Sequence, residues 1–181
     1  MTRTSFALCV LTAALLVGCE MPFGADPGDG RDGPGLEPRD EVAVEPGLVA
    51  TLYAPRQVTA GDTFDVSVRV ENAAGRPVQF QTPNSCLARP GVFYGGGPKE
   101  GERAEMKGSL IGCLTVITDR EVGPGDAETR VYDMEAVLTG PEEESPAPTG
   151  DYTLEAEIDW TVEGKGVEET LEAGFSVVAG R

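Results

Sequence analysis

The sequence predicts an all-β protein, an antiparallel β-sandwich of about seven strands. Three observations lead to it. Apolar and polar residues alternate with a period of two in run after run between residues 48 and 178. Glycine-, proline- and asparagine-rich turn signals separate those runs. Beyond the first 18 residues no segment carries a helical period.

Residues 48–53 form the first predicted strand. In the next, Phe64, Val66, Val68 and Val70 alternate with Asp65, Ser67, Arg69 and Glu71, so one face is buried and the other wet. Ala60-Gly61-Asp62 turns into this strand, and Asn72-Ala73-Ala74-Gly75 turns out of it. Val78 and Phe80 alternate in a short return strand. Leu110, Leu114, Val116 and Thr118 suggest another near Cys113. Tyr132, Met134, Ala136 and Leu138 give the fifth. Tyr152, Leu154, Ala156, Ile158 and Trp160 give the sixth, and Leu171, Ala173, Phe175 and Val177 the seventh. Glu163-Gly164-Lys165-Gly166 joins the last two as a hairpin loop. Tyr132 and Trp160 lie on inward faces and read as core. Acidic runs at residues 142–144 and 168–169 read as solvated loop charges.

Gly150-Asp151-Tyr152-Thr153-Leu154 resembles a tyrosine corner, in which a tyrosine hydroxyl bonds back to nearby backbone. That feature points to an immunoglobulin-like sandwich over residues 48–181. Leu154 stands where an antibody domain would carry a cysteine, so Cys86 and Cys113 are not the usual inter-sheet pair. They are expected to bond to each other and pin the long middle excursion to the sandwich.

The run Thr63-Phe64-Asp65-Val66-Ser67-Val68-Arg69-Val70-Glu71-Asn72, followed by Gly75-Arg76-Pro77-Val78-Gln79-Phe80, resembles the opening of BsuPI-type intracellular proteinase inhibitor domains. Val122-Gly123-Pro124-Gly125-Asp126 and Pro148-Thr149-Gly150-Asp151-Tyr152-Thr153-Leu154 continue the resemblance in the same order. It implies an immunoglobulin-like sandwich and, as an alternative function, inhibition of an exported protease. Val92-Phe93-Tyr94-Gly95-Gly96-Gly97 stands where that family has a tryptophan-containing stretch.

The N-terminus sets the expected compartment. Arg3 precedes an apolar run from Phe6 to Val17, the layout of a secretory signal and too short to span a bilayer. Leu16-Val17-Gly18-Cys19 resembles the lipobox of bacterial lipoproteins. The resemblance implies removal of residues 1–18, lipidation of Cys19 and attachment to the cell envelope. Multiple acyl chains make such attachment long-lived. Glu20, rather than aspartate, follows the cysteine and favours the outer membrane in a host that has one. Residues 20–47 hold six glycines, five prolines and eight acids. With Cys19 they read as a disordered tether, 19–47.

Composition narrows the function. The net charge is −17 and histidine is absent. The charge argues against nucleic-acid binding, and the missing histidine removes the commonest general base and metal ligand. No catalytic residue, metal site or cofactor is expected. Arg89, Lys99, Arg103 and Lys107 concentrate scarce positive charge in residues 83–107, and Phe93 and Tyr94 precede three glycines. Arg89, Phe93, Tyr94, Lys99 and Arg103 therefore form the candidate binding loop. The alternative is that this segment is a short core strand whose basic residues balance nearby acids. The expected function is a non-enzymatic, lipid-anchored binding module, its partners the membrane through its anchor and a protein.

Overall fold

A computed structural model describes residues 36–44, 46–108, 113–140 and 143–180. The expected signal peptide, Cys19 and most of the expected tether lie outside the described residues. Two sheets pack face to face, as the alternation requires. The first has the order β1 (Glu37–Val44), β2 (Leu48–Ala54), β4 (Thr63–Asn72), β9 (Ala127–Thr139) and β10 (Glu144–Pro146), with β7 (Met106–Gly108) also against β9. The second has the order β3 (Gln57–Thr59), β12 (Lys165–Val178), β11 (Gly150–Val162), β5 (Val78–Thr82) and β8 (Thr118–Val122), with β6 (Arg89–Tyr94) also against β11. All pairs are antiparallel except β3 with β12. The all-β, immunoglobulin-like sandwich is therefore as expected, with twelve strands among the described residues rather than about seven.

Inward residues are those the period-two pattern selects. Val66, Val68, Val70, Leu154, Ala156, Ile158 and Leu171 are all buried. Phe80 and Trp160 pack with ring centroids 5.0 Å apart. Toward the other end of β11, Phe64, Phe175, Tyr152 and Tyr94 form a chain of rings at 5.4–5.6 Å. The Tyr152 hydroxyl donates to the Pro148 carbonyl at 2.8 Å, which completes the tyrosine corner. Val162 pairs with Lys165, so the last hairpin turns on Glu163 and Gly164 alone. Their φ values of 49° and 81° are those a two-residue primed turn needs.

Two expectations are corrected. Residues 37–44, assigned to the tether, form strand β1. Val42 and Val44 turn inward, and the charged Arg39 and Asp40 before them bind backbone. Arg39 donates to the Gly174 carbonyl at 2.7 Å, and Asp40 accepts from the Glu172 N–H at 2.8 Å. They cap the edge of β12 where β3 does not cover it, a protection that open strands need. The strand expected from Leu114 and Val116 begins instead at Thr118. Leu114, Val116 and Ile117 are 69%, 52% and 69% exposed.

The open side of the sandwich is closed by residues 82–88. Cys86, Leu87 and Ala88 are buried although they belong to no strand. Trp160 Nε1 donates to the Leu87 carbonyl at 2.7 Å. The Tyr132 hydroxyl accepts from the Ala88 N–H and donates to the Ala88 carbonyl, both at 2.9 Å. One side chain from each sheet thus satisfies the backbone of the segment between them. Burial raises the Tyr132 pKa above its usual value, opposed by the hydrogen bond to Ala88. Beside it, Arg120 pairs with Glu128 across the sheets and donates to the Ser85 carbonyl at 2.8 Å. Tyr132→Phe leaves two buried backbone groups unpaired, and urea unfolding is expected to show a loss of about 1–3 kcal/mol. A loss below about 0.5 kcal/mol would mean that the segment relaxes without its tie.

Candidate functional site

The candidate site lies on that closed side and grows out of the disulfide. Cys86 and Cys113 are bonded, with Cα atoms 5.3 Å apart and a separation of 27 positions in sequence. Cys86 is buried beside the Trp160-bound Leu87, while Cys113 is half-buried at the surface. Chain leaving Cys113 is held at once. The Leu114 N–H donates to Ser85 Oγ at 2.8 Å, and the Ser85 N–H donates to the Leu114 carbonyl at 3.0 Å. The Val116 N–H donates to the Leu114 carbonyl, and Thr118 Oγ1 to the Val116 carbonyl. The backbone of residues 113–118 is thus tied down while its apolar side chains face water. In a chain this acidic, three exposed large apolar residues within four positions form a surface distinct from everything around them.

Strand β8 runs directly from this segment. It is an outer strand of its sheet, paired only with β5 among the described residues. Val122, Arg120 and Thr118 face inward, opposite Val78, Phe80 and Thr82, so Asp119 and Glu121 face outward. Gln81 Nε2 donates to Asp119 at 2.6 Å and Gln79 Nε2 to Glu121 at 2.8 Å. These neutral donors fix the carboxylates without cancelling their charge. A depression of about 570 Å³ lies over them, lined also by Thr161, Glu163 and Gly164.

The candidate loop of Arg89, Phe93, Tyr94, Lys99 and Arg103 takes a different form. Arg89, Phe93 and Tyr94 lie in strand β6, registered against Glu157, Thr153 and Tyr152 of β11. A single 3₁₀ turn, Gly97–Lys99, follows and leads back to an isolated bridge between Arg103 and Phe93. Arg89 pairs with Glu157 at 3.0 Å and Arg103 with Glu105 at 3.6 Å. Lys99 Nζ sits 5.3 Å from the centroid of the Tyr94 ring. Lys107 pairs with Glu135 and Glu144, which raise its pKa, and Arg76 pairs with Glu163. Arg89, Phe93 and Arg103 do meet around a shallow depression of about 120 Å³, together with Glu155 and Glu157. The alternative reading of this segment, a strand with its cations set against nearby acids, describes its geometry.

Two acidic contacts remain. Asp65 of β4 stands opposite Asp133 of β9 on the outer face of the first sheet. Partial burial, and then Asp133, raise the Asp65 pKa. Glu155 is raised in the same sense by burial and by Glu172 and Glu157. Among the described residues no group of three cysteine, aspartate or glutamate side chains is placed to share a metal ion, and no helix is long and apolar enough to cross a membrane.

No protein-family model matches the chain, and no curated relative does. Solved structures similar to it include three partial likenesses. One is part of Escherichia coli alpha-2-macroglobulin, spanning domain MG7 to the C-terminus (16% identity, 73% of this chain, 16% of that one, TM-score 0.43). Another is a CARDB domain from Pyrococcus furiosus (18% identity, 76% and 93%, TM-score 0.38). The third is the ASH / PapD-like domain of human CEP192 (15% identity, 73% and 85%, TM-score 0.33). The sandwich assignment rests on the strand pairing given above.

Sequence reasoning missed Leu114, Val116 and Ile117 as surface residues because their spacing imitates a half-buried strand. The signal available was Ile117, which makes both faces of such a strand apolar where the disulfide already ends the core.

A pH dependence follows from Asp65. The folded chain holds a proton there more tightly than the unfolded chain does. Stability from this pair therefore rises as pH falls through the Asp65 titration and is lost as pH rises above it. Asp133→Asn is expected to flatten that slope above the ordinary aspartate range, near about pH 4, and to raise the urea midpoint at neutral pH. Parallel stability profiles for the two proteins would contradict the assignment.

Proposed function

We propose that the chain is a non-enzymatic interaction module of the cell envelope, held to the membrane through lipid on Cys19 and presenting one side of its sandwich to a protein partner. The observation that carries this reading is the exposed triad Leu114, Val116 and Ile117 on a backbone fixed by the Cys86–Cys113 bond. A backbone already held in place has less freedom to lose when its side chains are covered, which favours an effective recognition surface. A strand scaffold with its variable chemistry on one connecting segment is a common arrangement for binding proteins. The anchoring half of the reading rests on the lipobox-like Leu16-Val17-Gly18-Cys19.

Both halves have direct tests. Labelled palmitate is expected in the wild-type chain and absent from Cys19→Ser, which should appear outside the membrane fraction. A photo-crosslinking residue at Ile117 is expected to give adducts in intact cells, whereas one at Glu168, across the same sheet, gives none. The adduct should disappear in Cys86→Ser/Cys113→Ser, which also loses about 3–4 kcal/mol of stability. Equal crosslinking at both positions, or none at Ile117, would contradict the proposed surface.

A further inference from the structure

We infer that the partner adds an extended, basic strand to the open edge of β8. The inference rests on the interaction-module reading and specifies what that surface accepts. Three independent features converge there. First, the two outer edges of the second sheet are treated differently. The β12 edge is covered by β3 and by the Arg39 and Asp40 side chains, while β8 ends its sheet with no strand beyond it among the described residues, its last carbonyl, at Val122, being held by Asn72 Nδ2 at 2.7 Å. An unpaired edge offers a row of backbone donors and acceptors to another extended chain. Second, the one basic side chain on β8 is withdrawn. Arg120 turns inward to Glu128, Ser85 and Thr82 and is only 12% exposed. The charges left on the outer face are Asp119 and Glu121, two residues apart and over the 570 Å³ depression. Third, the strand's approach carries the exposed Leu114, Val116 and Ile117.

These features define the occupant by its chemistry. A strand laid antiparallel on β8 places alternate side chains over Glu121 and Asp119, so lysine or arginine belongs at those two positions. Further along, its side chains pass over residues 114–117, so apolar residues belong there. The recognised segment reads basic, any, basic, any, then apolar. A second copy of this chain does not qualify, because two bodies of net charge −17 repel one another.

The probe is a labelled, end-capped peptide, Lys-Thr-Lys-Thr-Val-Leu-Val, titrated against the purified native chain in nonionic detergent and followed by fluorescence anisotropy. Saturable binding is expected, with hydrogen-exchange protection confined to residues 118–122. Alternate N-methylation of the peptide keeps its charge and side chains but removes edge hydrogen bonds, and should abolish binding. Asp119→Lys/Glu121→Lys should weaken binding at least tenfold, whereas Glu168→Lys/Glu172→Lys, on the far strand of the same sheet, should not. Absence of binding, equal binding of the N-methylated peptide, or protection elsewhere would overturn the inference. Ile117 crosslinks in cells would survive that outcome, so failure of edge pairing is distinguishable from failure of the module reading.

Discussion

The structure depends on a short piece of chain that belongs to neither sheet. Leu87 and Ala88 are buried between the sheets, where backbone that pairs with nothing is costly. Trp160 from one sheet and Tyr132 from the other supply the missing partners. Each is a large apolar body with a single polar group, able to fill core volume and satisfy a carbonyl or N–H at once. Among the described residues no buried side-chain nitrogen or oxygen lacks a partner. This closure makes a well-formed outer surface possible on the same side. Cys86, itself buried, directly precedes Leu87, so the disulfide transmits a fixed core position to the surface at Cys113. Arg120 adds a second tie from β8 to Ser85. The apolar residues after Cys113 therefore sit on a platform held at both ends.

Much of the fold is legible in the sequence because burial on one face imposes a period of two. That held for β2, β4, β5, β9, β11 and β12, while the hairpin loop expected at residues 163–166 tightens to Glu163 and Gly164, with Lys165 and Gly166 already in β12. The failures have identifiable causes. Strand β1 sits inside a segment whose average composition is that of a linker, and only Val42 and Val44 mark its inward face. Its charged residues are used on backbone groups 132 and 135 residues away, which no local pattern can reveal. In β6 the inward residues are Pro90, Val92 and Tyr94, with Gly91 between them, so proline and glycine imitate a loop.

Site residues were less legible than the fold. Scarcity of positive charge drew attention to Arg89, Lys99 and Arg103, yet an acidic protein offers nearby carboxylates to most of its cations. The disulfide was readable, since two cysteines remain once the N-terminal pair is set aside. Exposure was harder to read. Leu114 and Val116 alternate like core residues, and Ile117 alone breaks the one-sided pattern.

Native-state hydrogen exchange at the Ala88 amide tests the central constraint most directly. If Tyr132 and Trp160 lock this segment into the core, the Ala88 N–H opens only with global unfolding. Its exchange free energy then equals that of the slowest amides in β11 and β12. Exchange by a local opening, while those strands remain protected, would show that the segment is a loosely held cover and that the surface beyond Cys113 has no rigid base.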